Sequence, residues 1–128
     1  MTIRYMLLAV ALVALAGCTL APIRNVNDAP VTTGSGKTLT ADQVRMAIVG
    51  AGTGLGWAMT PTAPGLVTGR IALRQHVAVI DVRYSPTTYS IVYKESTNLD
   101  FGDGKIHKNY NGWIENLNRD IRGNLMAL

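Results

Sequence analysis

The sequence predicts an α+β fold: a two-layer α–β meander–α domain in which an antiparallel sheet of three to four strands carries two helices on one face. Two stretches, 41–51 and 110–125, place apolar residues three and four positions apart, the spacing of a helix with one buried stripe. Between them, residues 66–74, 76–84 and 88–95 alternate in polarity or run β-branched and aromatic, which is the period of strands. Two single-striped helices need a common apolar surface, and one face of the intervening sheet is the simplest one on offer.

The first helix opens at Thr40, a candidate N-cap, with Gln43 as its capping-box partner and with Leu39 and Val44 placed for a hydrophobic staple. From Ala41 to about Ala51 its stripe is Val44, Ala47, Ile48 and Ala51, while Asp42, Gln43 and Arg45 face water. Gly50, Gly52, Gly54 and Gly56 then end it and permit a close crossing. Trp57 to Thr60 reads as a short edge strand before Pro61 and Pro64. In the meander, Val67, Ile71, Leu73, His76, Ala78, Ile80, Val82, Tyr84, Ile91 and Tyr93 share the inner face. Ser85-Pro86-Thr87 is the turn between the last two strands, and Ser96 to Asn109 is polar and glycine-containing, hence a loop. The second helix, from about Tyr110 to Leu125 with Asn109 or Asn111 as N-cap, buries Tyr110, Trp113, Ile114, Leu117, Ile121 and Leu125. It also sets Glu115 four residues before Arg119.

Ahead of this domain the composition changes twice. Residues 19–38 hold Pro22, Pro30, Gly34 and Gly36 with no apolar periodicity, which predicts a flexible tether reaching roughly 25 Å. Before it, Arg4, the apolar run Met6 to Ala16 and small residues make the three regions of a secretory signal. As helix that run spans roughly 16 Å, too short for the ~20 residues of a bilayer crossing. Leu15-Ala16-Gly17-Cys18 resembles the lipobox of bacterial lipoproteins at all four positions. The resemblance implies that residues 1–17 are removed, that Cys18 is acylated, and that residues 18–38 tether a domain at 39–128 to lipid. Thr19 follows the cysteine where inner-membrane retention resembles an Asp, so outer-membrane, periplasm-facing anchoring is expected. Cys18 is the only cysteine, leaving no disulfide framework and no thiolate metal site.

The mature chain of about 110 residues suits one small domain. Its basic residues are scattered, with no basic run and few interleaved aromatics, which argues against nucleic acid. Gly34-Ser35-Gly36-Lys37-Thr38 lacks the upstream glycine of a phosphate loop, since Val31 occupies that place, and Leu55 breaks the dinucleotide spacing after Gly50 and Gly52. Asn98, Asp100 and Asp103 resemble a calcium-loop fragment in the wrong order and read as an Asp-Gly turn. No cofactor or metal is implied.

The segment 106–117, with Gly56-Trp57, the Arg74/His76 pair and Tyr89 to Tyr93, is similar to a family of small Gram-negative lipoproteins that brings no activity with it. Tyr110 and Trp113 are core anchors or, alternatively, line an aromatic groove. Three functions follow as expectations. A binding or scaffold module would meet an envelope protein or glycan through the helix-free sheet face, where Arg70, Arg74, Asp81, Arg83, Ser90 and Lys94 lie with Val77, Val79 and Val92 exposed among them. A small envelope hydrolase would pair His76 or His107 with Asp81 or Asp103. A purely structural lipoprotein needs neither.

Overall fold

The computed structural model describes residues 19–128; the signal segment and the lipobox with Cys18 lie outside the described residues. In chain order the elements are β1 (Leu20–Pro22), β2 (Val26–Pro30), α1 (Ala41–Gly54), β3 (Ala58–Ala63), β4 (Leu66–Leu73), β5 (His76–Tyr84), β6 (Thr88–Thr97), β7 (Lys105–His107) and α2 (Lys108–Met126). Strands β3 to β6 form the expected antiparallel meander, and β2 adds itself beside β6, giving a five-stranded sheet in the order β2-β6-β5-β4-β3. A separate two-stranded ribbon pairs β1 with β7. Among the described residues the fold is therefore α+β with two helices, but with a larger sheet than the three to four strands expected.

Two of the additional strands, β1 and β2, come from the segment expected to be a tether, and the third, β7, comes from the stretch 96–109 expected to be a loop. Val26 pairs with Ile91 and Ala29 with Tyr89, across a register shift that accommodates the intervening residues. Both prolines that disguise this region, Pro22 and Pro30, sit in strands with one partner each, where a missing N–H costs no ladder bond. Between β2 and α1 the chain stays pinned. Val31 N–H donates to the Thr87 carbonyl at 2.9 Å and Gly34 N–H to the Met126 carbonyl at 3.0 Å, while the Ser35 hydroxyl donates to the Leu128 carbonyl. Among the described residues, paired structure is thus already present ahead of residue 39.

Helix α1 begins as expected. Thr40 Oγ1 accepts from Gln43 N–H at 3.2 Å, and the Gln43 side chain accepts from Thr40 N–H at 2.9 Å. The glycines do not end it at once: the helix runs through Gly50 and Gly52 to Gly54, and Gly56, at φ +91°, turns the chain into buried Trp57. Gly52 and Gly69 both face Met59 on the edge strand, and a Cβ on Gly52 would overlap the thioether. The crossing is therefore close, but between a helix backbone and a side chain.

Both helices and one sheet face close a single core. Val44, Ala47, Ile48 and Ala51 of α1 and Tyr110, Ile114, Leu117, Ile121 and Leu125 of α2 cluster with Val67, Ile71, Ala78, Ile80, Val82, Tyr89 and Ile91. Leu73, expected inside, is exposed at the hairpin end of β4, and His76 and Tyr84 are only half-buried. Helix α2 starts two residues earlier than expected, with His107 as N-cap; its Nδ1 accepts from Asn109 N–H at 3.2 Å. Asn111, released from capping, clamps β1 instead: its amide donates to the Pro22 carbonyl at 2.9 Å and its carbonyl accepts from Arg24 N–H at 3.0 Å. Glu115 pairs with Arg24 at 3.5 Å and not with Arg119, which bonds Asp120 and Asn116.

The Tyr110 hydroxyl is buried without a hydrogen-bond partner among the described residues. Burial, with Tyr93 alongside, pushes its pKa far above the usual tyrosine range. Tyr89, whose hydroxyl donates to Asn118 Oδ1, is raised by burial and drawn partly back by Arg122.

Candidate functional site

The sheet face that neither α1 nor α2 covers is assembled by register. Alternation along each strand sends Val67, Gly69, Ala78, Ile80 and Ile91 inward, so their neighbours point the other way. Across β4, β5 and β6 the outward rows are Leu66, Arg83 and Ser90, then Thr68, Asp81 and Val92, then Arg70, Val79 and Glu95. A bulge between Val79 and Ile80 leaves Lys94 unpaired between Tyr93 and Glu95, and its ammonium reaches Asp81 Oδ1 at 3.9 Å. Asp81 also accepts from Thr68 Oγ1 at 3.2 Å, and Thr68 meets Thr62 Oγ1 at 3.2 Å. At the β2 edge, Ser90 Oγ accepts from Asp28 N–H at 2.9 Å.

Of the five residues expected to meet a partner, Arg70, Asp81, Arg83 and Lys94 share this face. Arg74 does not. It sits in the β4–β5 turn at φ +57°, a left-handed backbone unusual for a non-glycine residue, and lies at the hairpin tip. The pair Asp81–Lys94 is partly solvated and adds at most about 1 kcal/mol. Arg70 and Arg83 are exposed and make no ion pair among the described residues. The valines differ from expectation: Val79 is buried and Val77 and Val92 are half-buried, so the face presents cations, hydroxyls and the carboxylates of Asp81 and exposed Glu95 over a largely covered apolar layer.

The structure does not bring the histidines to the carboxylates. His76 Nδ1–H donates to the Asn98 carbonyl at 2.6 Å, and Asn98 in turn donates to the Gln75 carbonyl at 2.8 Å, which locks the β4–β5 hairpin to the end of β6. His107 caps α2. Asp81 is occupied by Thr68 and Lys94, and Asp103 lies in a turn. That turn is the expected Asp-Gly one: Gly102 and Lys105 exchange backbone bonds at 2.9 and 3.0 Å, with Asp103 and Gly104 at φ +52° and +71°, the type I′ pattern. Tyr110 belongs to the core, while Trp113 is half-buried.

Sequence reasoning missed one surface entirely, the outer face of the β1–β7 ribbon. Ala21 and Ile106 point to the core, so Leu20, Pro22, Lys105 and His107 face out. Its only trace in the sequence is the apolar pair Leu20 and Ile23 inside an otherwise linker-like stretch. Among the described residues no group of histidines and carboxylates is arranged to hold a metal, and no helix is long and apolar enough to cross a membrane. Comparison with family models, with curated proteins and with solved structures gave no match.

Proposed function

We propose that the protein is an outer-membrane lipoprotein, anchored through acylated Cys18, whose helix-free sheet face binds an anionic envelope partner, protein or glycan. The anchoring is carried by Leu15-Ala16-Gly17-Cys18 behind an apolar run of signal length. Binding is supported by one arrangement: two guanidiniums, Arg70 and Arg83, stand exposed and, among the described residues, without ion pairs on the sheet beside a row of hydroxyls. Arginine on a rigid element suits planar carboxylate or phosphate groups, because its donors form a fixed fork.

Replacing Cys18 by Ser is expected to move a folded domain from the membrane to the soluble fraction; retention in the membrane without lipid overturns the anchoring. A photocrosslinker at Thr68 is expected to trap a discrete adduct in cells, which disappears in an Arg70→Glu/Arg83→Glu variant. An adduct unchanged by the double reversal refutes the binding face.

A further inference from the structure

We propose that the outward face of the β1–β7 ribbon rests on the lipid surface itself, so that the domain stands on the membrane in one orientation instead of moving on an arm. This rests on the acylation of Cys18 put forward above.

The geometry follows from how soon pairing begins. The Thr19 carbonyl accepts from Lys108 N–H at 2.9 Å, and Leu20 already lies opposite His107. Consecutive Cα atoms are about 3.8 Å apart, so the Leu20 Cα lies within about 8 Å of the Cα that carries the lipid. No flexible arm is left. Whatever the ribbon turns outward meets the headgroup layer.

What it turns outward has interfacial chemistry. Leu20 is 42% exposed, a large apolar side chain that the described residues cover only in part, and Pro22 lies beside it. Lys105 shares this face and exposed Lys108 follows at the start of α2. An aliphatic group flanked by ammonium groups suits the boundary between acyl chains and phosphates. Of the nearby carboxylates, exposed Asp100 follows Leu99, whose carbonyl accepts from His107 N–H, and is the one that Lys105 and Lys108 must outweigh. Glu115 is held by Arg24, and Asp103 lies in the type I′ turn beyond Lys105, at the end of the ribbon away from Cys18. The opposite pole is Met126, roughly 27 Å along α2 from Lys108 at ~1.5 Å per residue.

Acylation of Cys18 removes the chain's only thiol, so Leu20→Cys, Lys105→Cys and Met126→Cys each offer one labelling site on the full anchored protein. The variants, produced in a Gram-negative host, are placed in vesicles of phosphatidylethanolamine and phosphatidylglycerol and labelled with an environment-sensitive fluorophore. Lipids spin-labelled at the headgroup are expected to quench positions 20 and 105 several-fold more strongly than position 126. Equal quenching at all three, with Cys18 shown by mass spectrometry to be acylated, overturns the docking and leaves the anchoring intact. An unmodified Cys18 overturns both. Slowed amide exchange at residues 20–24 and 105–108 on vesicles, relative to detergent, is the parallel expectation for the unlabelled protein, and identical exchange counts against docking.

Discussion

Replacing Tyr110 by Phe is expected to make this protein more stable, although it deletes a polar atom from the core. The Tyr110 ring is fully buried and meets Tyr93 edge-on at 5.7 Å between centroids, a contact that phenylalanine preserves. Its hydroxyl has no partner among the described residues, and a buried unsatisfied hydroxyl costs about 1–3 kcal/mol. Against this stands the void left by one oxygen, about 0.2 kcal/mol at ~24 cal/mol per Å³ for roughly 10 Å³. The net gain is about 1–2.5 kcal/mol, which for a domain near 100 residues raises Tm by roughly 4–10 °C. Calorimetry at pH 7 measures it. Titration to alkaline pH adds a second signature. Because the folded protein holds the Tyr110 proton more tightly than the unfolded chain does, stability is intact below the ordinary tyrosine value near 10. It falls as pH rises beyond it, by about 1.4 kcal/mol per pH unit for such a group. The variant lacks this contribution, so its advantage should widen above pH 10. A Tm that drops by several degrees in Tyr110→Phe refutes the reasoning and means that the hydroxyl is satisfied.

Other expectations probe the segments that sequence alone misread. Asn111→Ala removes both hydrogen bonds to the β1–β2 link and is expected to cost about 1–3 kcal/mol. Faster amide exchange at residues 20–24 reports it. Gly34→Ala brings a Cβ within 2.5 Å of the Met126 carbonyl oxygen, a backbone atom that cannot step aside. It should destabilise by about 1–3 kcal/mol and unprotect the Gly34 amide, measured by urea unfolding and by exchange. Thr40→Ala deletes the N-cap of α1 for a loss of about 1 kcal/mol, read from the same unfolding curves.

The parts of the fold that were legible are those whose signal is local. Val44, Ala47, Ile48 and Ala51 announce α1 by their spacing, Thr40 and Gln43 announce its start, and the β-branched alternation from Leu66 to Glu95 announces the meander. The strands that escaped are three and five residues long, and their partners lie 58 or more positions away. Nothing in Leu20-Ala21-Pro22 encodes Lys105–His107 opposite it, and prolines that are harmless at an edge look like linker residues when the edge is unknown. Arg74 was misplaced for a related reason. Arg74-Gln75 carries none of the usual turn chemistry, so the period of two seemed to run on to the end of β4. The candidate face was legible in Arg70, Asp81 and Arg83, because a residue's side of a sheet follows from its parity. The burial of the valines among them was not, because it depends on long neighbouring side chains and on a bulge.

The pairing of β1 with β7 also sets an order in time. If the chain is exported N-terminus first, as the proposed signal implies, residues 20–30 reach the envelope well before Thr88–Thr97 and Lys105–His107, and neither β1 nor β2 can find its place until those strands have crossed. In the proposed lipoprotein, acylation of Cys18 before β7 has crossed would act on a chain whose β1 still lacks its partner. Closing β1 onto β7 is then the event that draws a half-formed domain down to its own anchor.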